Sequence, residues 1–308
     1  MIDLLKTCVN ISQMATCHHI YTNKSLDGAV STLVYMWSKS KEDSFHFTPI
    51  SNSEISKLKT EIVNTHNPSK TLILKLGIRE EFLPELDESH IVFIDNQKSS
   101  SEVVEKFKKA KIITKEYSSS SLLMYKALKE NIEITDSKKL LIALADDFDS
   151  YSLKIPYSYD LNLLFWSEYQ GRFSSFIKDY YNGFKPFTEK QIKAIEYIKK
   201  VGSDAASKSN VFSGQVVIEE KSKKLCAVMV EKIIPNMMET LIKKHNPDLF
   251  VFINTQNENV SIRQCNQDNP INCAEFAEKF CNGGGKFNSS AGKITPLFME
   301  ITKNLKPV

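Results

Sequence analysis

Residues 282–292, NGGGKFNSSAG, are where this sequence offers chemistry most plainly. Three consecutive glycines cost roughly 1 kcal/mol each in backbone entropy relative to alanine. A fold keeps them where φ is positive or where something must approach the backbone closely. Here they precede a cation, Lys286, and the short polar side chains of Asn288, Ser289 and Ser290. Bare amides, hydroxyls and one ammonium suit a phosphate or another oxyanion. The competing reading is a tight turn leading into a packed helix. Upstream, Arg263 lies near the end of the apolar-alternating run NVSIRQ; the chain's other arginines are Arg79 and Arg172, so this one is conspicuous. The candidate anion ligands within this stretch are Gly283, Gly284, Gly285, Lys286, Asn288 and Ser289.

The elements that must position these groups follow from periodicity. CHHIYTN (17–23) reads as a strand, and Asp27-Gly28 opens an amphipathic helix with Val30, Leu33, Val34 and Trp37 on one face. A second helix is expected over 53–65, with Ile55, Leu58 and Ile62 on one stripe. TLILKL (71–76) and HIVFID (90–95) are short apolar runs of the kind found in central parallel strands covered on both faces. A helix over SEVVEKFKKA, a strand IIT, a serine-capped helix over 120–129 and a helix capped by Asp136 and carrying LLIALADDFDSY complete the first part. Alternating strands and helices predict a doubly wound parallel α/β sheet. The site of such a sheet lies beyond the carboxyl ends of its strands, where residues 23–27, Lys75 and 95–97 fall.

The aromatic section that follows, with Phe165, Trp166, Tyr169, Phe173, Tyr180 and Tyr181, reads as core and not as a base-stacking surface. Thr188 and Gln191 form a capping box for a helix expected to end at Gly202, and 203–210 reads as a linker. Beyond it come a hairpin turning at KSKK (221–224), a helix near 236–245, the strands LFVFIN and NVSIRQ, a helix over 272–281 and the glycine stretch. This is a smaller α+β domain. The expected limits are 1–186, 187–210 for the connecting helix and linker, and 211–308, with a cleft between the two domains.

Composition narrows the function classes. A chain of 308 residues suits two domains, each with its own core. Apolar content of 42% and charged content of 25% are those of a globular protein, and a net charge of +3 is too small to argue for nucleic acid by itself. The excess of lysine accompanies an excess of Asn, Ile and Ser, the pattern of an AT-rich coding source. Neither a signal peptide nor an apolar run near the roughly 20 residues of a membrane span is evident. The six cysteines form no CxxC pair and no zinc-ligand spacing, so buried, reduced thiols in a cytoplasmic protein are expected. The lysine clusters at 221–224 and 243–244 read as solvated faces.

Taken in order, these motifs resemble the DHH phosphoesterase superfamily, a DHH domain followed by a DHH-associated C-terminal domain, over nearly the whole chain. Proteins of that superfamily hold two divalent cations, usually manganese, with aspartates and histidines. Its first motif, His-x-Asp-x-Asp-Gly, is met here by Asn23-Lys24-Ser25-Leu26-Asp27-Gly28. Its second, an aspartate ending a strand, is met by Lys75; its third, Asp-His-His, by Asp95-Asn96-Gln97; its fourth, a helical aspartate, by Asp147, with Asp146 and Asp149 close by. Its Gly-Gly-Gly-His loop is met by Gly283-Gly284-Gly285-Lys286, after a strand carrying Arg263, which the resemblance adds to the candidate phosphate ligands. Asn23, Asn96, Gln97 and Lys286 thus occupy the positions of histidines, and none of the six histidines of this chain falls on a motif.

The departures imply a protein that has lost the two-metal hydrolytic site, with no cofactor expected. Lys75 would supply a fixed positive charge among Asp27, Asp95 and Asp147, which without a cation would repel one another. Such a protein would bind a nucleotide or short oligonucleotide phosphate, or a protein partner, in the interdomain cleft, with no membrane and with self-association left open. The superfamily has precedent in a eukaryotic replication-fork helicase factor that keeps the fold without the hydrolytic site. The alternative is an active phosphodiesterase or nuclease on short oligonucleotides or cyclic dinucleotides, with Mn or Mg held by Asp27, Asp95 and Asp147. A structural or assembly protein is the third reading.

Overall fold

The computed structural model describes residues 16–51, 54–64, 70–77, 80–83, 85–96, 101–114, 118–218, 220–232 and 234–308. The chain forms two compact units, Met1–Asp149 with Phe165–Lys185, and Ser150–Leu164 with Pro186–Val308.

The first unit is built on five parallel strands: β1 (Cys17–Asn23), β2 (Ser44–Ile50), β3 (Lys70–Leu74), β4 (Ile91–Asp95) and β5 (Lys111–Thr114). They lie in the order β2-β1-β3-β4-β5. β3 and β4 are the continuous apolar runs expected of central strands, with Leu72, Ile73, Leu74, Phe93 and Ile94 all buried. β2 is the strand that pattern reading misses. Its residues alternate between exposed and half-buried and include Pro49, which a parallel edge strand tolerates because it has no outer neighbour to donate to.

Before residue 150 the described residues of this unit form the helices α1 (Leu26–Trp37), α2 (Ile55–Asn64), the four-residue α3 (Ser101–Val104), α4 (Ser120–Leu128) and α5 (Asp136–Asp149). Leu58 of α2 packs with Tyr21, Ile73 and Phe93 on one face of the sheet. The helix expected over 101–110 is only the four residues of α3. α1 is not amphipathic: every residue except Met36 is buried, because α4 and α5 pack on it as well as the sheet. Thr135, and not Asp136, caps α5, its hydroxyl accepting from the Lys138 amide at 3.3 Å, while Asp136 sits in the first turn.

Residues 165–185 return to this unit through a π-helical turn (Phe165–Tyr169) and a further helix, α7 (Phe173–Asp179). Trp37 Nε1 donates to the Tyr181 carbonyl at 2.6 Å. Gly183 (φ +99°) lets the chain lie against the backbone of Ser137, which a Cβ would approach to 2.4 Å. Phe165, Tyr169, Phe173 and Tyr180 are core as expected; Trp166 and Tyr181 are about 40% exposed and are not.

The second unit contains α6 (Ser158–Leu164), α8 (Glu189–Ser207), α9 (Met237–His245), α10 (Cys273–Cys281) and α11 (Pro296–Thr302). Its strands are β6 (Val211–Ile218), β7 (Lys221–Val230), β8 (Leu249–Asn254), β9 (Asn259–Gln264), β10 (Gly284–Gly285), β11 (Ser289–Lys293) and β12 (Lys306–Pro307). They form one sheet, β10-β11-β9-β8-β7-β6-β12, antiparallel except where β7 meets β8. One face is covered by Phe276 and Ala277 of α10 with Phe298 of α11, the other by Met237, Met238 and Leu241 of α9 with Ala206 of α8.

Three expectations change here. α8 does not stop at Gly202 but runs to Ser207, so the supposed linker is mostly helix. Gly202 is there for contact: a Cβ on it would lie 2.1 Å from the Pro235 carbonyl oxygen. KSKK is the start of β7 and not the turn, and Lys223 is buried, its ammonium donating to the Asn269 and Pro270 carbonyls at 3.1 and 3.4 Å. The described cysteines are free, with Cys226, Cys273 and Cys281 buried; burial pushes Cys281 up to about 11 and Cys273 up to about 12. Cys8 lies outside the described residues. Among the described residues no helix is long and apolar enough to cross a membrane.

His18 is a core histidine, stacked on Phe45 and bonded through Nδ1 to the Tyr35 hydroxyl at 3.0 Å. Burial holds its pKa below the ordinary value, against the opposing pull of Asp43 at 3.4 Å. The unfolded chain therefore takes up this proton more readily than the folded one. Its stabilisation is full above about pH 6.5 and falls as the pH drops through the lowered folded-state value. Urea unfolding at pH 7.5 and pH 5 should show a smaller acid loss for His18→Phe than for wild type. Equal losses would assign the acid sensitivity to other groups.

Candidate anion and charge site

The candidate site of the first unit grows from the ends of β1, β3 and β4. β1 ends at Asn23, whose carbonyl accepts from the Ser25 amide at 2.8 Å; the Ser25 hydroxyl then caps α1 by accepting from the Gly28 amide at 3.1 Å. Only glycine fits at position 28, because a Cβ would lie 2.2 Å from the Asn23 carbonyl oxygen. This tight entry sets Asp27 in the first turn of α1 at 2% exposure. Its Oδ1 accepts from the Ser121 amide at 3.0 Å and its Oδ2 from the Ser120 amide at 3.0 Å, so one carboxylate serves the N-terminus of α4.

β3 ends at Leu74, and Lys75 follows in the left-handed region (φ 54°), a conformation that a lysine adopts only when its surroundings impose it. Its amide is tied to the Ile94 carbonyl at 3.0 Å. Its ammonium donates to Asp27 Oδ2 at 2.7 Å and to Asp149 Oδ1. Burial alone would lower the Lys75 pKa, but the Asp149 and Asp27 carboxylates outweigh it and hold the value above the ordinary lysine range.

Asp95 ends β4 and Asn96 follows it, both buried, and the Ser120 hydroxyl donates to Asn96 Oδ1 at 2.8 Å. On α5, Asp147 is buried, while Asp146 Oδ1 accepts from the Ser119 hydroxyl at 2.6 Å and from that of Ser118. The fold thus links Asp27, Lys75 and Asn96 through Asp149 and the serines that open α4, while Asn23 and Ser25 form the entry to α1, Asp95 ends β4 and Asp147 is buried on α5. The ammonium expected among Asp27, Asp95 and Asp147 is seated on Asp27 and Asp149, and Gln97 lies outside the described residues. β1 and β3 are the pair at which the strand order reverses, the usual place for a site in an open α/β sheet. Two participants were not singled out from sequence. Asp149, merely a neighbour of Asp147 in sequence, is the second partner of Lys75. The serines 118–121 join Asp27, Asn96 and Asp146, and their signal was the four-serine run itself.

In the second unit, Arg263 on β9 and Ser289 on β11 are direct cross-strand neighbours. Arg263 is half-buried, with Nη1 donating to the Ile262 carbonyl at 2.8 Å and its guanidinium 5.3 Å from the centre of the Tyr151 ring. The glycine stretch is a hairpin and not an open loop: Gly284 pairs with Ala291 and Gly285 with Ser290. The Gly283 amide donates to the Ala277 carbonyl at 3.1 Å, so it is engaged in ending α10 and cannot also face an anion. A Cβ on Gly283 would lie 2.0 Å from the Ala291 oxygen, whereas at Gly284 it would meet nothing. The Lys286 amide donates to the Ser289 carbonyl at 2.7 Å, and Asn288 Nδ2 to the Ser150 carbonyl at 3.1 Å. The hairpin therefore brings Arg263 and Ser289 together and removes Gly283 from the expected cradle.

No family model and no curated protein matches the chain. Solved structures do. RecJ from Thermus thermophilus in complex with Mn2+ matches over 97% of this chain with a TM-score of 0.54 at 13% identity. The chain has the RecJ-like DHH fold. It spans 52% of that RecJ chain. An exonuclease RecJ bound to manganese (TM-score 0.48, 12% identity, 97% of this chain and 90% of that one) and CDC45 from Entamoeba histolytica (0.41, 9%, 91% and 92%) also match.

The DHH fold implies a pair of divalent cations, and the residues here do not suit them. An ammonium carries three donors and no lone pair, and that of Lys75 is seated directly on Asp27 and Asp149. Both Asp27 oxygens already accept backbone hydrogen bonds. Among the described residues no group of three or more His, Cys, Asp or Glu side chains is placed to hold a metal ion.

Lys75→Met would leave Asp27 and Asp149 without their cation in a mostly buried setting, at a cost of about 3–5 kcal/mol. Because the Lys75 pKa is raised, its contribution is complete below the ordinary lysine value of about 10.4 and is lost only as the pH climbs beyond it. The wild-type-minus-variant difference in chemical denaturation should therefore be the same at pH 6 and pH 9. An unchanged unfolding midpoint at pH 7 would refute the pairing.

Proposed function

We propose that this chain binds the phosphate of a nucleotide or short oligonucleotide on its second unit and does not hydrolyse it. The observation that carries the reading is the Lys75 ammonium between Asp27 and Asp149. Two-metal phosphoryl chemistry needs cations that generate hydroxide and clamp the attacking and leaving oxygens. A lysine ammonium supplies charge but neither function. Lys286, standing where the DHH resemblance places histidine, likewise offers anion attraction without acid–base chemistry near neutral pH.

Support for the ligand class comes from Arg263, Ser289 and Lys286 on neighbouring strands and their turn, with Gly284 and Gly285 in the same hairpin and Asn288 bracing it. The buried Nε of Arg263 has no hydrogen-bond partner among the described residues, leaving a donor for an anion. A guanidinium can hold phosphate through a bidentate fork, with lysine acting as a point charge. A protein partner in place of the nucleotide is the other occupant. A working phosphodiesterase on short oligonucleotides or cyclic dinucleotides, using Mn or Mg, keeps one specific support, the three buried carboxylates Asp27, Asp95 and Asp147.

Elemental analysis after purification in manganese-supplemented buffer is expected to find no tightly held metal pair; close to two equivalents per chain would return the chain to the phosphodiesterases. Calorimetric titration with mononucleotides, dinucleotides and short single-stranded RNA and DNA, without divalent cations, should show binding and no hydrolysis. Arg263→Ala should weaken that binding by about 1.5–3 kcal/mol, the range for a hydrogen bond to a charged group. Binding of none of these, or binding indifferent to both Arg263→Ala and Lys286→Ala, would favour an assembly protein.

A further inference from the structure

The turn between β10 and β11 carries an aromatic side chain that the phosphate reading does not use. Phe287 is 50% exposed, although the backbone around it is held on every side. Lys286 and Ser289 close the turn on each other, amide to carbonyl, at 2.7 and 3.3 Å. The Phe287 carbonyl accepts from the Cys273 amide at the start of α10 at 2.8 Å, and the Asn288 carbonyl accepts from the Gln264 amide on β9 at 3.1 Å. Asn288 is further pinned through its side chain to the Ser150 carbonyl. Among the described residues no aromatic ring or cation stacks on the Phe287 ring.

Exposed hydrophobic residues scattered singly on a surface need no explanation. This one differs in two respects. Its main chain is fixed before any ligand arrives, so a partner stacking on it would order little more than the side-chain rotamer. It also follows Lys286 directly and lies two residues before Ser289, the cross-strand neighbour of Arg263. An exposed aromatic ring on a fixed turn, next in sequence to a lysine and two residues from the strand neighbour of an arginine, is a combination suited to nucleic-acid components, the ring taking a base face and the cations the phosphate.

We propose that Phe287 is a base-stacking platform, so that the ligand of this site is a nucleobase-bearing phosphate and not phosphate esters in general. This rests on the reading of Arg263 and Lys286 as the phosphate-binding groups and adds to it the side chain that meets the base. The ring supplies affinity without choosing among bases, since every base presents a π face. Little discrimination between purine and pyrimidine monophosphates follows.

The test uses the full chain and three probes: AMP, ribose 5-phosphate, and the 5′-monophosphate of 2-aminopurine riboside, whose fluorescence falls when the base stacks. AMP should bind about 5- to 100-fold more tightly than ribose 5-phosphate, the span of one base–aromatic contact. Phe287→Ala should remove most of that ratio and the 2-aminopurine quenching while leaving ribose 5-phosphate binding unchanged. Phe287→Trp should restore both, with its own emission quenched by AMP. Because half of the ring is already in water, these variants are expected to melt with wild type. Equal affinity of wild type for AMP and ribose 5-phosphate, or AMP binding untouched by Phe287→Ala, would overturn the platform while leaving the phosphate reading intact. Failure of wild type to bind any of the three would remove both.

Discussion

One buried positive charge organises the first unit. The Lys75 ammonium joins the strand that carries it to α1 through Asp27 and to α5 through Asp149, and Asp27 in turn caps α4. Four elements that are far apart in sequence thus share a single electrostatic arrangement. Burying such a group adds little to stability compared with an apolar core of the same shape, since desolvation opposes the attraction. What it enforces is geometry: without the ammonium, the Asp27 and Asp149 carboxylates lose the cation they share. The left-handed backbone at Lys75 belongs to the same constraint, because the side chain must turn back over the strand end to reach both partners.

The two units carry their polar groups differently. In the first, carboxylates, amides, hydroxyls and the ammonium satisfy one another in a largely buried network. In the second, the groups that could meet an anion lie on the β10–β11 hairpin at one edge of the sheet and on the neighbouring strand β9, half-buried or exposed, with the hairpin backbone pinned by α10 and β9. The glycines of that hairpin serve packing first. Gly283 and Gly292 let β10 and β11 close on each other and on the end of α10, where a Cβ would meet backbone or the Cys281 side chain within about 2.5 Å. The first unit thus closes its charges in a buried network, while the second holds its cations and short polar side chains on a rigid sheet edge.

Much of this was legible in the residues. The apolar runs at 71–74 and 91–95 read as central strands because both of their faces are covered, and the tight Asp27-Gly28 entry marked the start of α1. A lysine just past a buried strand, opposite several aspartates, was expected to pair inward among Asp27, Asp95 and Asp147; it meets Asp27, and its second partner is Asp149. The strand bearing Arg263 and the helix preceding the glycines were likewise placed from their apolar patterns.

Other features depended on the third dimension. α5 carries Asp146, Asp147 and Asp149, and one residue is a 100° step around a helix, so composition alone does not say which carboxylate meets Lys75. The observed packing directs Asp146 to the α4 cap and Asp149, on nearly the same face one turn later, to the ammonium. Lys223 looked like part of a solvated turn until the sheet register carried it inward to the Asn269 carbonyl. Gly202 looked like a helix stop and proved to be a contact with the Pro235 backbone. The sequence by itself determined the order of elements and the residue types at the strand ends, because periodicity and side-chain size act locally. Only the tertiary structure decided which charges meet, which amides remain available and which glycines serve packing, because those depend on the rotation and approach of elements distant along the chain.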